Sequence, residues 1–136
     1  MNKLKGRIEK ISFFENLSFV EVKVGKEIFK SVVIETPETS PYLKIGNEVF
    51  LLFKETEVAV GKDCTGKISL SNQIPCKIKK IKKGKILTQI TLSFEVFEIN
   101  SIITTFSADK LSLKEGEDVI AFIKANEISL MEILHE

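Results

Sequence analysis

The chain has 136 residues, a mass of 15.3 kDa and a formal net charge of +1. That length suits one ordinary domain or two small ones, and a charge so near zero argues against a protein whose main task is neutralising a phosphate backbone. No apolar run is long enough to span a bilayer and no positive-then-apolar leader opens the chain, so it reads as a soluble, unprocessed protein with no membrane partner.

The first predicted strands are Arg7–Ile8–Glu9–Lys10–Ile11 and Phe19–Val20–Glu21–Val22–Lys23–Val24, which alternate as half-buried strands do. Gly25–Lys26–Glu27 reads as a turn into Ile28–Phe29–Lys30–Ser31–Val32–Val33–Ile34. Residues 35–42 hold two prolines with several Thr and Ser, a loop composition. Gly46–Asn47 turns into Glu48–Val49–Phe50–Leu51–Leu52–Phe53, and Glu57–Val58–Ala59–Val60 closes the set.

The same order then recurs. A shift of 70 positions lays Asn2 on Asn72, Ile8 on Ile78, Ser31 on Ser101, Gly46 on Gly116, Lys54 on Lys124 and Glu57–Val58 on Glu127–Ile128. One shift that works at both ends is the mark of an internal duplication. The second copy is expected to have strands near 74–83, 86–94, 96–105, 118–124 and 127–134. Its first hairpin turns at Gly84–Lys85, and a short helical turn follows Ser107 as N-cap.

Five short strands with a loop or helical turn between the third and fourth is the plan of a small Greek-key barrel. The expected fold is therefore all-β: two tandem OB-fold-like five-stranded barrels. The first covers 1–62, a linker 63–67, and the second 68–136. Copies this small are marginal alone, and ten Phe with exposed strand edges favour a homo-oligomer.

No catalytic constellation is visible, so an enzyme is not expected. The single histidine, His135, lies in a tail expected to fray, which leaves no credible base for a nucleophilic serine. Cys64 and Cys76 are the only cysteines, too few with one histidine for a tetrahedral zinc site, and they read as ordinary thiols of a reducing cytoplasm. The run Lys77–Ile78–Lys79–Lys80–Ile81–Lys82–Lys83–Gly84–Lys85 contains no aromatic residue. It fits a strand with Ile78 and Ile81 inward, a bulge between them and solvated lysines better than a nucleic-acid face.

The more informative stretches are Ser69–Leu70–Ser71–Asn72, opening copy two, and Lys124–Ala125–Asn126 near its end. Hydroxyls, an amide, backbone N–H groups and one lysine are the donors that a tetrahedral dianion needs. From spacing alone, a strand entry and a strand exit that never meet is an equal reading.

At these residues the chain resembles the molybdenum-binding Mop family, also called the TOBE (transport-associated OB) domain. Ser69–Leu70–Ser71–Asn72–Gln73–Ile74 resembles the family start, and Ile103–Thr104–Thr105–Phe106–Ser107 its middle. Residues 111–125, from Leu111–Ser112–Leu113 through Gly116 and Val119 to Ile123–Lys124–Ala125, resemble its tail. Copy one resembles it more weakly, through Asn2–Lys3–Leu4–Lys5–Gly6 and Gly46–Asn47–Glu48–Val49 to Phe53–Lys54–Glu55–Thr56. The arrangement is similar to tandem di-Mop molybdate-storage proteins and to the paired C-terminal domains of the molybdate-responsive repressor.

The resemblance implies binding of molybdate or tungstate without chemistry, at domain and subunit interfaces of a trimer. It implies Ser69, Ser71 and Asn72 facing Lys124, Ala125 and Asn126, and in copy one Asn2 facing Lys54, Glu55 and Thr56. Two positions depart from the family pattern. Ser71 stands where an arginine is usual, and Glu55 stands where copy two has Ala125. The rival expectations are an effector-sensing domain or partner of a molybdate-responsive regulator or transporter, a nucleic-acid-binding OB protein, and a structural oligomer whose anion sites have decayed.

Overall fold

The computed structural model describes residues 1–64 and 66–134. Thr65, in the expected linker, and His135, the tail histidine, lie outside the described residues. Ten strands follow one another: β1 (Asn2–Phe14), β2 (Leu17–Val24), β3 (Glu27–Val33), β4 (Glu48–Phe53), β5 (Ala59–Gly61), β6 (Asn72–Lys83), β7 (Leu87–Phe94), β8 (Phe97–Thr104), β9 (Asp118–Ile123) and β10 (Ser129–Glu132). One short helix, α1 (Thr105–Lys110), follows β8, and 3-10 turns form at Glu55–Glu57 and Ala125–Glu127.

The duplication is visible in the pattern of burial. In β1, Asn2, Leu4, Gly6 and Ile8 point inward, and in β6 so do Asn72, Ile74, Cys76 and Ile78. Successive strand side chains face opposite sides, so the lysines between them stay in water. In each copy the register against the next strand then shifts by one residue, between Ile8 and Lys10 and between Ile78 and Lys80. This is the bulge expected in the lysine run. Gly46 and Gly116 turn the chain into β4 and β9 with φ of +93° and +87°, a region open to glycine at little cost. Their N–H groups bond to the carbonyls of Ile8 and Ile78 at 2.8 and 2.7 Å, fastening the turn at the bulge.

All pairings are antiparallel. One sheet has the order β10-β4-β1-β2-β3 and the other β5-β9-β6-β7-β8. The closing strand of each copy thus belongs to the sheet of the other. One compact unit comprises Met1–Phe53 together with the chain from Lys124 onward, and the other comprises Lys54–Ile123. The division expected from the repeat, 1–62, 63–67 and 68–136, and the division into compact units are therefore different cuts of the chain.

Inside the first unit Leu4, Ile8, Val20, Val22, Phe29, Leu51 and Phe53 form the core with Ile128 from the returning segment. The Ser31 hydroxyl on β3 donates to the Ile128 carbonyl. Inside the second, Ile74, Ile78, Ile90, Leu92, Ile99, Ala121 and Ile123 form the core with Val58, and Ser101 on β8 donates to the Val58 carbonyl.

Several local expectations are corrected. The N-cap of α1 is Thr104, whose hydroxyl accepts from the Ser107 N–H at 3.1 Å, so Ser107 lies within the first turn. Thr105 opens the helix and does not end β8, because its N–H is bonded to the Ile86 carbonyl and its hydroxyl to the Gly84 carbonyl, both at 2.8 Å. Lys124 and Glu127 are not strand residues: Lys124 caps the 3-10 turn before β10 and Glu127 is the last residue of that turn. Glu57 likewise sits in the turn before β5, and Glu27 is the first residue of β3 and no part of the preceding turn.

Candidate functional site

Each copy presents a strand start and a tail. The starts are built on inward-facing asparagines. Asn2 and Asn72 are the first residues of β1 and β6 and are 5% and 0% exposed. An asparagine this deep in a barrel must have its amide engaged, and among the described residues every buried side-chain nitrogen and oxygen has a partner. Asn2 lies in register with Phe53, and Asn72 with Ile123. The next residue along the chain after each partner is the tail lysine, Lys54 or Lys124.

The tails have one geometry. Lys54 and Lys124 are extended residues with φ of −74° and −68°, immediately before the 3-10 turns. Their carbonyls accept from the N–H of Glu57 and Glu127, each at 3.0 Å. The turn's own bonds use the N–H groups of Glu127 and Ile128 and leave those of Ala125 and Asn126 outside its ladder. Ala125 is buried, whereas Lys124 and Asn126 are exposed. Thr56 and Lys54 are exposed as well, and Glu55 is half-buried at the position of Ala125.

Ser69 and Ser71 are exposed in the segment before β6. Gln73, on the outer face of β6, donates through Nε2 to the Leu70 carbonyl at 2.9 Å and to the Ile68 carbonyl at 3.3 Å. It ties the serine segment to the strand start, a role the sequence reading did not give it. Its place directly after Asn72 in the Ser69–Asn72 stretch was the available signal. A groove of about 460 Å³ in the second unit brings Thr56 together with Thr104 and Ser107 between the apolar walls of Val58, Leu87, Ile102 and Ile103. Thr104 and Ser107, both in the Ile103–Ser107 stretch, thus line the same groove as Thr56, together with Glu57.

The candidate residues are distributed over the two compact units. Ser69, Ser71, Asn72, Lys54 and Thr56 belong to the second unit, and Asn2, Lys124, Ala125 and Asn126 to the first. Each unit therefore owns one strand start and one tail, and they come from different copies. Among the described residues no cluster of His, Cys, Asp and Glu is suited to hold a metal ion, and the donors present are amides, hydroxyls and lysine ammonium groups. Such a set suits an oxyanion.

Beyond these starts and tails, Lys62 bonds to Glu117 at 2.7 Å and to the Leu111 carbonyl at 3.2 Å, fastening the segment after β5 to the loop before β9. The Lys62 ammonium holds the Glu117 carboxyl below the usual carboxylate range. In the lysine run, Lys77, Lys79 and Lys83 pair with Asp118, Glu98 and Asp109.

Fold and site together define a tandem OB-like protein in which a short strand-start and tail element occurs twice. The TOBE domain family matches residues 68–130. Molybdenum-pterin-binding protein 1 of Clostridium pasteurianum is 34% identical over 65 residues, 47% of this chain and 96% of that protein. Molybdenum-pterin-binding protein 2 of the same organism is 31% identical over 65 residues with the same coverage. A solved structure of the cytoplasmic molybdate-binding protein ModG, with molybdate bound, superposes over 97% of this chain and 96% of that one, with a TM-score of 0.91 and 26% identity. The chain belongs to the Mop family of TOBE-domain proteins, and its two copies are tandem Mop domains.

Proposed function

We propose that this protein binds molybdate reversibly in the cytoplasm, as a storage or buffering protein and not as an enzyme. The observation that carries the reading is the agreement of fold along almost the whole chain with molybdate-bound ModG. Homology to small proteins named for molybdenum-pterin binding supports it. The residues assigned to the anion are Ser69, Ser71, Asn72, Lys124, Ala125 and Asn126, with Asn2, Lys54 and Thr56 as the weaker copy-one set. The assembly is a homotrimer whose interfaces complete the sites, and tungstate, of the same charge and shape, is the second ligand.

A tetrahedral dianion is held best by several short donors and a nearby cation, because charge-assisted hydrogen bonds are about twice as strong as neutral ones. Ser71 supplies a hydroxyl where a guanidinium is usual, so the site carries one full charge fewer. The nucleic-acid alternative is disfavoured by Lys77, Lys79 and Lys83, which already have carboxylate partners.

Calorimetric titration of the full chain with molybdate, with sulfate as control and mass by light scattering, tests the proposal. Saturable molybdate binding, weak sulfate binding and a trimeric mass are expected. Absence of heat together with an unchanged melting temperature at high molybdate overturns it.

A further inference from the structure

The outward face of β6, β7 and β8 carries a second set of anion donors, apart from every residue assigned to molybdate. Lys80 lies in register with Thr91, and Lys82 with Gln89. Strand side chains two residues apart share a face, and these four line one pocket of about 180 Å³. Asn100 on β8, in register with Thr91, is the common acceptor behind the wall. Its Oδ1 receives the Thr91 hydroxyl at 2.9 Å and Gln89 Nε2 at 3.5 Å.

The charges here are uncommitted in a way that their neighbours' are not. Lys77, Lys79 and Lys83 have carboxylate partners, whereas among the described residues neither Lys80 nor Lys82 has one. The bulge between Ile78 and Lys80 resets the face on which the following lysines emerge.

The duplication supplies an internal control. The matching positions of copy one are Lys10, Ser12, Phe19, Glu21 and Lys30. There Glu21 lies in register with Lys10 on one side and Lys30 on the other. A carboxylate between two lysines cancels charge, and Phe19 replaces an amide. Copy two therefore alone has two lysines and an amide around one pocket with no acidic residue lining it, the Thr91 hydrogen being given to Asn100.

We propose that this pocket binds a tetrahedral phosphate-type dianion, either free or as the phosphoryl group of a small monoester. Two long, exposed lysines are ordered on binding, and solvent screens them, so the affinity is weak and falls as salt rises. The inference does not rest on the molybdate reading.

The test is an NMR titration of the uniformly ¹⁵N-labelled full chain in low-salt buffer, with inorganic phosphate and, separately, glucose 6-phosphate. Saturating amide shifts at Lys80, Lys82, Gln89 and Thr91 are expected. The double substitution Lys80→Gln with Lys82→Gln should weaken them at least about tenfold, while Lys10→Gln and Ser69→Ala leave them unchanged. Saturation by inorganic phosphate alone assigns the free anion, and an equal response to the sugar phosphate assigns the phosphoryl group. Non-saturating shifts, shifts that survive the double substitution, an equal response on the copy-one face, or saturation by an oligonucleotide and not by phosphate would each overturn the proposal. All the substituted side chains are exposed, and a thermal melt confirms that each variant folds.

Discussion

The Ser31 hydroxyl donates to the main-chain carbonyl of Ile128 at 2.5 Å, across 97 residues of sequence. Its counterpart one repeat on, Ser101, does the same to Val58 at 2.6 Å. Both serines are 0% exposed, and both accepting residues are core residues that arrive from the other copy. Each bond therefore fixes an exchanged closing segment to the third strand of its host sheet. Ser31→Ala and Ser101→Ala each leave a buried carbonyl short of a donor and should cost about 1–3 kcal/mol. Urea denaturation followed by circular dichroism checks this, and an unchanged midpoint would show that the carbonyls find another partner.

Gly6 and Cys76 occupy the same place in the two copies, yet they are not interchangeable. A Cβ on Gly6 would sit 2.6 Å from Val22 Cγ1 and 2.8 Å from the Lys23 carbonyl oxygen. The carbonyl belongs to a paired strand and cannot step aside cheaply. Gly6→Ala should destabilise by about 1–3 kcal/mol, as overpacking does. Cys76 is buried and already fills its place, so Cys76→Ala should cost less. A reversed order of the two midpoints would refute the steric account.

The strands were legible in the sequence because alternation of period two is a local signal, and the bulge followed from placing both Ile78 and Ile81 inward. The exchange of closing strands was not legible. Glu57–Val58 and Glu127–Ile128 are nearly the same chemistry, so either sheet accepts either segment and no side chain announces the choice. The cap of α1 was missed for a related reason. Thr104 and Ser107 are both good caps, and what decides between them is distant in sequence: Thr105 is held by Ile86 and Gly84. At the candidate site, the asparagines and lysines stand out in the sequence by type, whereas the burial of Asn2 and Asn72 does not. Gln73 was not legible, because its role lies in which carbonyls it reaches.

Tyr42 is the only tyrosine and the chain has no tryptophan, so its phenol can be followed alone by ultraviolet absorbance. Partial burial, and then the hydrogen bond to Glu35 Oε1 at 2.6 Å, raise its pKa above the ordinary value near 10. A phenol whose folded pKa is raised contributes stability that is present below the unfolded pKa and is lost as pH climbs beyond it. No phenolate signal should appear near pH 10 in the folded protein, and stability should fall above that point. Glu35→Gln removes the charge and the anionic acceptor, so the phenol should titrate at lower pH. An ordinary titration midpoint in the unaltered protein would contradict the observed geometry.

Lys124 and Lys54 stand at equivalent positions with nearly the same backbone angles, but their next residues differ. Ala125 adds no charge, whereas Glu55 places a carboxylate beside the Lys54 ammonium in sequence. On the proposed function, Lys124→Ala removes a charge-assisted donor and should weaken molybdate binding about tenfold or more, equivalent to about 1.5–3 kcal/mol. Lys54→Ala should weaken it less. Because both lysines are exposed, neither change should shift the unfolding midpoint by more than about 0.5 kcal/mol. Ser71→Arg restores a guanidinium fork at a position that already faces water, and it should tighten molybdate binding by a similar factor. Calorimetry on the three variants and the parent decides the matter. Equal effects at Lys54 and Lys124 would mean that Glu55 is no handicap, and no effect at either would remove the tails from the anion site.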